Sequence, residues 1–201
     1  QVGEAGPDLL LTLDLLARLD LDMAKGRYSG VLQAAPASVH EQDQKERRLR
    51  LTEARHPLLS GAVVPVSLEL GGGRSVMLIT GPNAGGKTVT LKTVGLLAMM
   101  AQTGLHVPAD EADFPLFDGI YADIGDEQSI AQNLSTFSSH MSHIRDILAV
   151  ADAAALVLLD EVGAGTDPDE GAALGIAILE ALAARGTATV ATTHLEAIKA
   201  F

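Results

Sequence analysis

Residues Gly81-Pro82-Asn83-Ala84-Gly85-Gly86-Lys87-Thr88 match the pattern G-x-x-x-x-G-K-[ST] in full. The pattern constrains the fold because its glycines wind the backbone tightly only where a strand delivers the loop and a helix receives it. Both conditions hold in the surrounding sequence. Arg74 to Thr80 reads as a buried strand, and Lys87 to Gln102 reads as a helix stopped by Gly104 and Pro108. The winding aims successive N–H groups at a phosphate, and the helix start adds the positive end of its dipole. Lys87 is then expected at the β- and γ-phosphates of a nucleotide and the Thr88 hydroxyl on Mg²⁺, with Val89 completing the contact segment.

The rest of the chain supports the sheet that such a loop requires. Val63 to Leu70 alternates like a strand, Gly71-Gly72-Gly73 turns, and Ile120 to Ile124 reads as a further strand. Ser135 to Ala151 carries Phe137, Met141, Ile144 and Leu148 at helical spacing, and Ala155 to Leu159 is an unbroken apolar strand. Pro168 to Arg185 is a helix with Pro in its first turn and Gly186 after its end, and Thr187 to Thr192 is a β-branched strand. Strands alternating with helices predict an α/β fold with a mainly parallel sheet flanked by helices. Ahead of it, residues 8 to 25 place Leu9, Leu13, Leu16 and Leu19 on one stripe, as in an amphipathic connector helix that packs on a partner. Residues 26 to 50 lack a period and hold Pro36 and the charge run Glu41 to Arg50, so they read as a linker with short extended pieces. Its basic residues Lys45, Arg47, Arg48 and Arg50 read as a solvated loop. The predicted division is a helical connector and linker over residues 1–50 and a nucleotide-binding domain over residues 51–201, with the ordered core starting at Val63.

Leu156-Val157-Leu158-Leu159-Asp160-Glu161 delivers two acids at the end of an apolar strand. In an open parallel sheet that end faces the ligand crevice. Asp160 is the expected Walker B carboxylate, holding Mg²⁺ through its water shell, and Glu161 would orient and deprotonate an attacking water. Thr192-Thr193-His194 ends the next strand, where His194 can donate a hydrogen bond to the γ-phosphate. Between them, Ser135 or Thr136 opens a helix whose first N–H groups can bind an anion. His140 and His143 sit one turn apart on that helix, but no third ligand stands out, so the spacing alone argues against a metal site.

Composition excludes other classes. Fourteen Lys and Arg against twenty-six Asp and Glu give a net charge of −12, and aromatic residues make up 3%. Residues 109–170 hold fourteen acids and only Arg145 as a basic residue. This surface repels a duplex, and the chain lacks the aromatic platforms that stack single-stranded bases. With no cysteine, disulfides, thiolate zinc sites and thiol catalysis are ruled out. No basic, apolar leader or long apolar run is present, so a soluble, cytoplasmic protein is expected, with no membrane partner. The chain starts without Met and stops soon after His194, as expected of a segment of something longer.

The order of phosphate loop, serine-rich helix start, Asp-Glu strand end and strand-end His resembles the ABC-type ATPase superfamily. Arg55-His56-Pro57, the phosphate loop, Ser135-Thr136-Phe137, Asp160 to Thr166 and Thr192-Thr193-His194 resemble more narrowly the ATPase domain of the MutS family. Thr88 to Thr93, Gly125-Asp126-Glu127-Gln128-Ser129, Ser138-Ser139-His140-Met141 and Gly165 to Pro168 are similar to its second branch, associated with suppression of recombination rather than mismatch repair. The resemblance runs from about residue 50 to the end. Residues 8 to 25 are similar to the end of the lever segment that precedes that domain.

This resemblance implies a P-loop NTPase of ABC type that binds ATP or ADP with Mg²⁺ and hydrolyses ATP. It implies a homodimer in which the Ser135-Thr136 helix start of one subunit closes the Walker site of the other, with Asn83 near the γ-phosphate. Glu161, Lys87 and His194 would carry the chemistry. ATP-driven clamping of DNA follows in such proteins, and relatives in this branch commonly add a nuclease domain and bind branched DNA, recombination intermediates or collided ribosomes. Any such contact would come from segments outside these residues. Where mismatch-repair relatives hold an aromatic for the adenine ring, this chain has Val63-Val64-Pro65-Val66, so a base contact there would be aliphatic. Two other readings compete. A transporter nucleotide-binding subunit would carry Leu-Ser-Gly-Gly-Gln, where this chain has Leu134-Ser135-Thr136-Phe137-Ser138. A non-hydrolysing dimerisation switch would bind ATP without releasing phosphate.

Overall fold

The computed structural model describes residues 6–41, 47–81, 85–125 and 133–200, the side chains of 133–136 and 200 excepted. In chain order the elements are α1 (Gly6–Leu32), β1 (Ser38–His40), β2 (Arg48–Ala54), β3 (Val66–Gly71), β4 (Val76–Thr80), α2 (Lys87–Gln102), β5 (Glu111–Pro115), β6 (Gly119–Asp123), α3 (Asn133–Val150), β7 (Ala155–Leu159), α4 (Pro168–Ala184) and β8 (Ala188–Thr193). A 3₁₀ turn follows at Glu196–Ala200.

β7 is apolar and buried along its whole length, which demands cover on both faces. It receives that cover in a four-stranded sheet of order β4-β8-β7-β6, every pair parallel. The period of two sends Leu156 and Leu158 to one face, where they meet Leu91, Val94, Leu97 and Ala98 of α2. It sends Val157 and Leu159 to the other face, where they meet Ile144 and Ile147 of α3 and Ile178, Leu179 and Leu182 of α4. The far side of α2 packs on a second sheet of order β1-β5-β2-β3, through Leu49, Leu51, Leu70 and Phe114. In that sheet β2 is antiparallel to both neighbours and β1 is parallel to β5. The layers are therefore small sheet, α2, parallel sheet, then α3 with α4. The mainly parallel α/β reading holds for the sheet that carries the phosphate loop.

Residues 26–50 are more regular than a linker with short extended pieces. α1 continues to Leu32 rather than stopping at 25, and β1 and β2 occupy residues 38–40 and 48–54. The ordered core begins at Leu49, before Val63, because β2 alternates exposed arginines with buried Leu49 and Leu51. Arg48 and Arg50 lie on that strand rather than in a loop, paired at the surface with Glu69 and Glu111, while Arg47 donates to the carbonyl of Ala153. Lys45 lies outside the described residues.

α1 differs from the other helices in burying none of its residues. Leu9, Leu13, Leu16 and Leu19 are each more than half exposed, so the packing partner expected from their stripe is not supplied by the described residues. Its C-terminal end is fastened. The Arg55 guanidinium donates to the carbonyls of Leu32 and Gln33, a cation at the negative end of the helix, and Ser29 Oγ lies 2.7 Å from His106 Nδ1. No described helix is long and apolar enough to cross a membrane.

α2 is the central layer, so a cavity within it should cost the whole fold. Leu91→Ala, at a side chain with no exposed area, is expected to lower unfolding free energy by about 2–5 kcal/mol, read from the midpoint of guanidinium denaturation.

Candidate functional site

Parallel pairing aligns the carboxyl ends of the four strands. Thr80 sits opposite Thr193, Leu159 opposite Ala191, and Asp123 opposite Leu159. The residues that follow, Gly81, His194, Asp160 with Glu161, and Ile124 with Gly125, therefore share one edge of the sheet.

At this edge α2 starts without a side-chain cap. Its N-cap is Gly86 at φ +77°, a left-handed turn that glycine adopts without strain, and Gly85 and Gly86 are exposed. α4 shows the contrast, because Asp167 there accepts hydrogen bonds from the N–H groups of Asp169 and Glu170. A helix start with no side-chain oxygen capping its N–H groups, and with a positive dipole end, is built to receive an anion. Lys87 is buried beside it, its ammonium donating to the Gly81 carbonyl at 2.5 Å. Thr88 is half-buried and Val89 partly exposed on the same turn. Pro82, Asn83 and Ala84 lie outside the described residues.

The two acids are held in different ways. Asp160 is buried, and both of its oxygens accept from hydroxyls: Thr88 Oγ1 at 2.7 Å and Thr192 Oγ1 at 2.5 Å. Thr192, on β8, also accepts the Glu161 N–H at 2.8 Å, and its carbonyl accepts the Val162 N–H. That lacing holds Glu161 at φ +49°, a left-handed conformation that costs a residue other than glycine on the order of 1 kcal/mol or more. The loop then turns back onto α4. A Cβ on Gly171 would come within 2.1 Å of the Gly163 carbonyl oxygen, so the two backbones touch and neither position admits a side chain. His194 stands exposed just past β8.

The hydroxyl of Thr88 and the carboxylate of Asp160, in direct contact, form the hard-oxygen donor set that suits Mg²⁺. Among the described residues no three His, Asp or Glu side chains are placed to hold a metal ion by themselves. A binding site here would then draw remaining ligands from water and phosphate, as magnesium sites commonly do.

Ser135 and Thr136 fall in the first turn of α3, with their side chains outside the described residues, as are residues 126–129. Further along α3, His140 and His143 meet a residue the sequence did not single out. Asp123, at the end of β6, accepts from His140 Nδ1 at 2.8 Å and His143 Nδ1 at 3.4 Å. Its position at the carboxyl end of a parallel strand was the available signal. Thr192 was legible only as part of the strand-end motif, and its tie to Asp160 depends on β8 lying between β4 and β7.

A family model described as MutS domain V matches residues 77–201, which covers the phosphate loop, both acids and the strand-end histidine. The chain belongs to the MutS family. The match is to its ATPase domain. Among similar proteins, an "Endonuclease MutS2" of Exiguobacterium sibiricum is 53% identical over 202 residues, covering 100% of this chain and 25% of its own length. Proteins of the same name from Geobacillus sp. strain WCH70 and Geobacillus kaustophilus are 53% and 55% identical, over 100% and 96% of this chain and 25% and 24% of theirs. These relatives point to the MutS2 branch, and the chain spans about a quarter of their length.

Two outcomes follow from this geometry. Thr192→Val keeps the shape but removes the hydroxyl from the buried Asp160 and the Glu161 N–H. It is expected to cost about 1–3 kcal/mol of stability in urea denaturation. His56, beside α2, is held below its usual pKa by burial and then by the Lys92 charge, so the folded chain disfavours its protonated form. Above about pH 6.5 both states carry it neutral; below, the unfolded chain takes the proton more readily and stability falls. His56→Asn is expected to remove that part of the acid sensitivity, measured as the difference in urea midpoints between about pH 7.5 and pH 5.5.

Proposed function

We propose that the chain binds ATP with Mg²⁺ at the start of α2 and hydrolyses it to ADP and phosphate, as the ATPase domain of a MutS2-type protein. The observation that carries this reading is the chain of contacts Thr88–Asp160–Thr192–Glu161 beside an uncapped helix start and a buried Lys87. The ABC-type architecture of the resemblance fits the same order of motifs around one sheet edge.

The phosphates dock on the α2 N–H groups, and Lys87 turns its ammonium to the β- and γ-oxygens, where negative charge accumulates. Thr88 and Asp160 would hold Mg²⁺, which when bound neutralises charge on the same oxygens. Glu161 orients a water in line with the bond to the β-phosphate and accepts its proton as the oxygen joins the γ-phosphorus; the bridging oxygen leaves with ADP. His194, exposed at the next strand end, donates a hydrogen bond to the γ-phosphate and registers its presence.

The resemblance places the start of α3 of a second copy at this site, with Ser135 and Thr136 against the γ-phosphate. The functional unit is then a homodimer with composite sites. α1 connects it to the segments that hold DNA, and the two sheets with α2, α3 and α4 carry nucleotide. The name endonuclease carried by relatives supports DNA as a partner of the longer protein; branched or recombination intermediates as its form, and a nuclease outside this chain, are what the resemblance implies. Suppression of recombination by an ATP-driven clamp, or rescue of ribosomes, in the cytoplasm, is the corresponding biological role.

Glu161→Gln separates binding from chemistry. It is expected to retain ATP affinity while turnover falls about 10²- to 10⁴-fold, and to double in mass by light scattering when Mg²⁺-ATP is added. Turnover near wild type would remove Glu161 from its role. ATP bound by a chain that stays monomeric would remove the composite site, and binding without any phosphate release by the unsubstituted chain would leave a non-hydrolysing switch.

A further inference from the structure

Asp123 ends β6 with only 5% of its surface exposed, in a place where an unpaired carboxylate would be costly. Three contacts spread from it. One carboxylate oxygen accepts from His140 Nδ1 at 2.8 Å and the other from His143 Nδ1 at 3.4 Å, while its backbone carbonyl accepts the Asp160 N–H at 2.9 Å. An ionised carboxylate only accepts, so the contact sets the His140 tautomer with its proton on Nδ1. Helical spacing of three puts both histidines on the same face of α3.

His140 is the tighter of the two. Its ring is wedged at the strand end, where a Cβ on Gly125 would lie 2.9 Å from its Cε1 and 3.2 Å from its Nε2. It also lines, with Asp123, Asp160 and Glu161, a cavity of about 20 Å³, enough for one water. His143 is more exposed and its contact longer. Asp123 is thus a joint. Its side chain holds α3 and its backbone holds the strand end that carries both acids.

We propose that Asp123 and His140 are positioning residues for the hydrolytic step, locking α3 to the end of β7 so that the α3 start and Glu161 keep one geometry. The proposal rests on the ATPase reading above. His140 lies five residues beyond Ser135, about 7.5 Å along the helix axis, so the intervening turns transmit position with little slack. Loss of the joint leaves the middle of α3 on the sheet through apolar contacts such as those of Ile144 and Ile147, which are non-directional, while the Arg185 bonds to the Leu148 and Ala151 carbonyls lie at the helix end far from Ser135. A displacement of about 1 Å at a reacting group can cost 10²-fold in rate while leaving substrate binding intact.

The test uses the position of one donor atom in the full chain. Asn places its amide nitrogen where His Nδ1 stands, whereas Gln carries it one bond further out. His140→Asn is expected to keep kcat for ATP within about threefold of wild type, and His140→Ala and His140→Gln to lower it tenfold or more. In all three, KM for ATP and the affinity for a non-hydrolysed analogue should change less than about threefold. Asp123→Asn, which keeps the shape and a hydrogen-bonding group, serves if the alanine variant does not fold, and is expected to lower kcat in the same way. Wild-type kcat in His140→Ala or Asp123→Asn, equal losses in the Asn and Gln variants, or a rise in KM that accounts for the loss would overturn the proposal. A wild-type chain that releases no phosphate, or a Glu161→Gln chain that releases it normally, overturns the ATPase reading instead.

Discussion

A parallel sheet covered on both faces leaves charged side chains a place only at its ends, and the chemistry of this chain follows from that constraint. β7 is apolar over five residues and then presents two acids in succession. The alternation that buries Val157 and Leu159 under α3 and α4, and Leu156 and Leu158 under α2, brings the strand out of the core at Asp160. Every strand in the sheet runs the same way, so the phosphate loop, the acids, the strand-end histidine and Asp123 are gathered by topology rather than by long loops.

The gathering concentrates negative charge where an anion must arrive. Asp123, Asp160 and Glu161 stand close together in a chain of net charge −12. Against them are set Lys87, the bare N–H groups of α2 and the hydroxyls of Thr88 and Thr192. The hydroxyls matter because they accept and donate without charge. Thr192 ties a buried carboxylate to its neighbour's amide and so supports a backbone angle that Glu161 would not adopt by itself. On the proposed reading, a divalent cation would offset part of the negative charge that the acids and the phosphates bring together.

Elements whose local signal agreed with their environment were legible in the sequence. α2, bounded by the glycines and by Gly104, spans the residues expected, as does β7; α3 and α4 differ at their ends by one or two positions. β5 was missed, and β1 and β2 were read only as short extended pieces of a linker, for separate reasons. β2 reads as a charge run because its outward positions are arginines, and only the burial of Leu49 and Leu51 reveals a period of two. β5 is five residues with two acids and a terminal proline, and it becomes a strand through pairing with partners distant in sequence. Within the site, Lys87, Thr88, Asp160 and Glu161 could be read from spacing. Asp123 could not, because its significance comes from two histidines on a helix that packs beside it, a contact that no short motif encodes.

α1 is fastened to the rest of the described structure at its C-terminal end, by Arg55, Ser29 and Lys25, while its leucine-rich first half bears on nothing there. Twenty-seven residues at 1.5 Å each make a rod of about 40 Å. A rod held at one end has angular gain: a tilt of about 6° at the Arg55 contact carries the opposite tip about 4 Å. A repacking of about 1 Å over the roughly 10 Å between the Lys25 and Leu32 contacts gives that tilt, and reads out at the far tip as a displacement comparable to the width of a side chain.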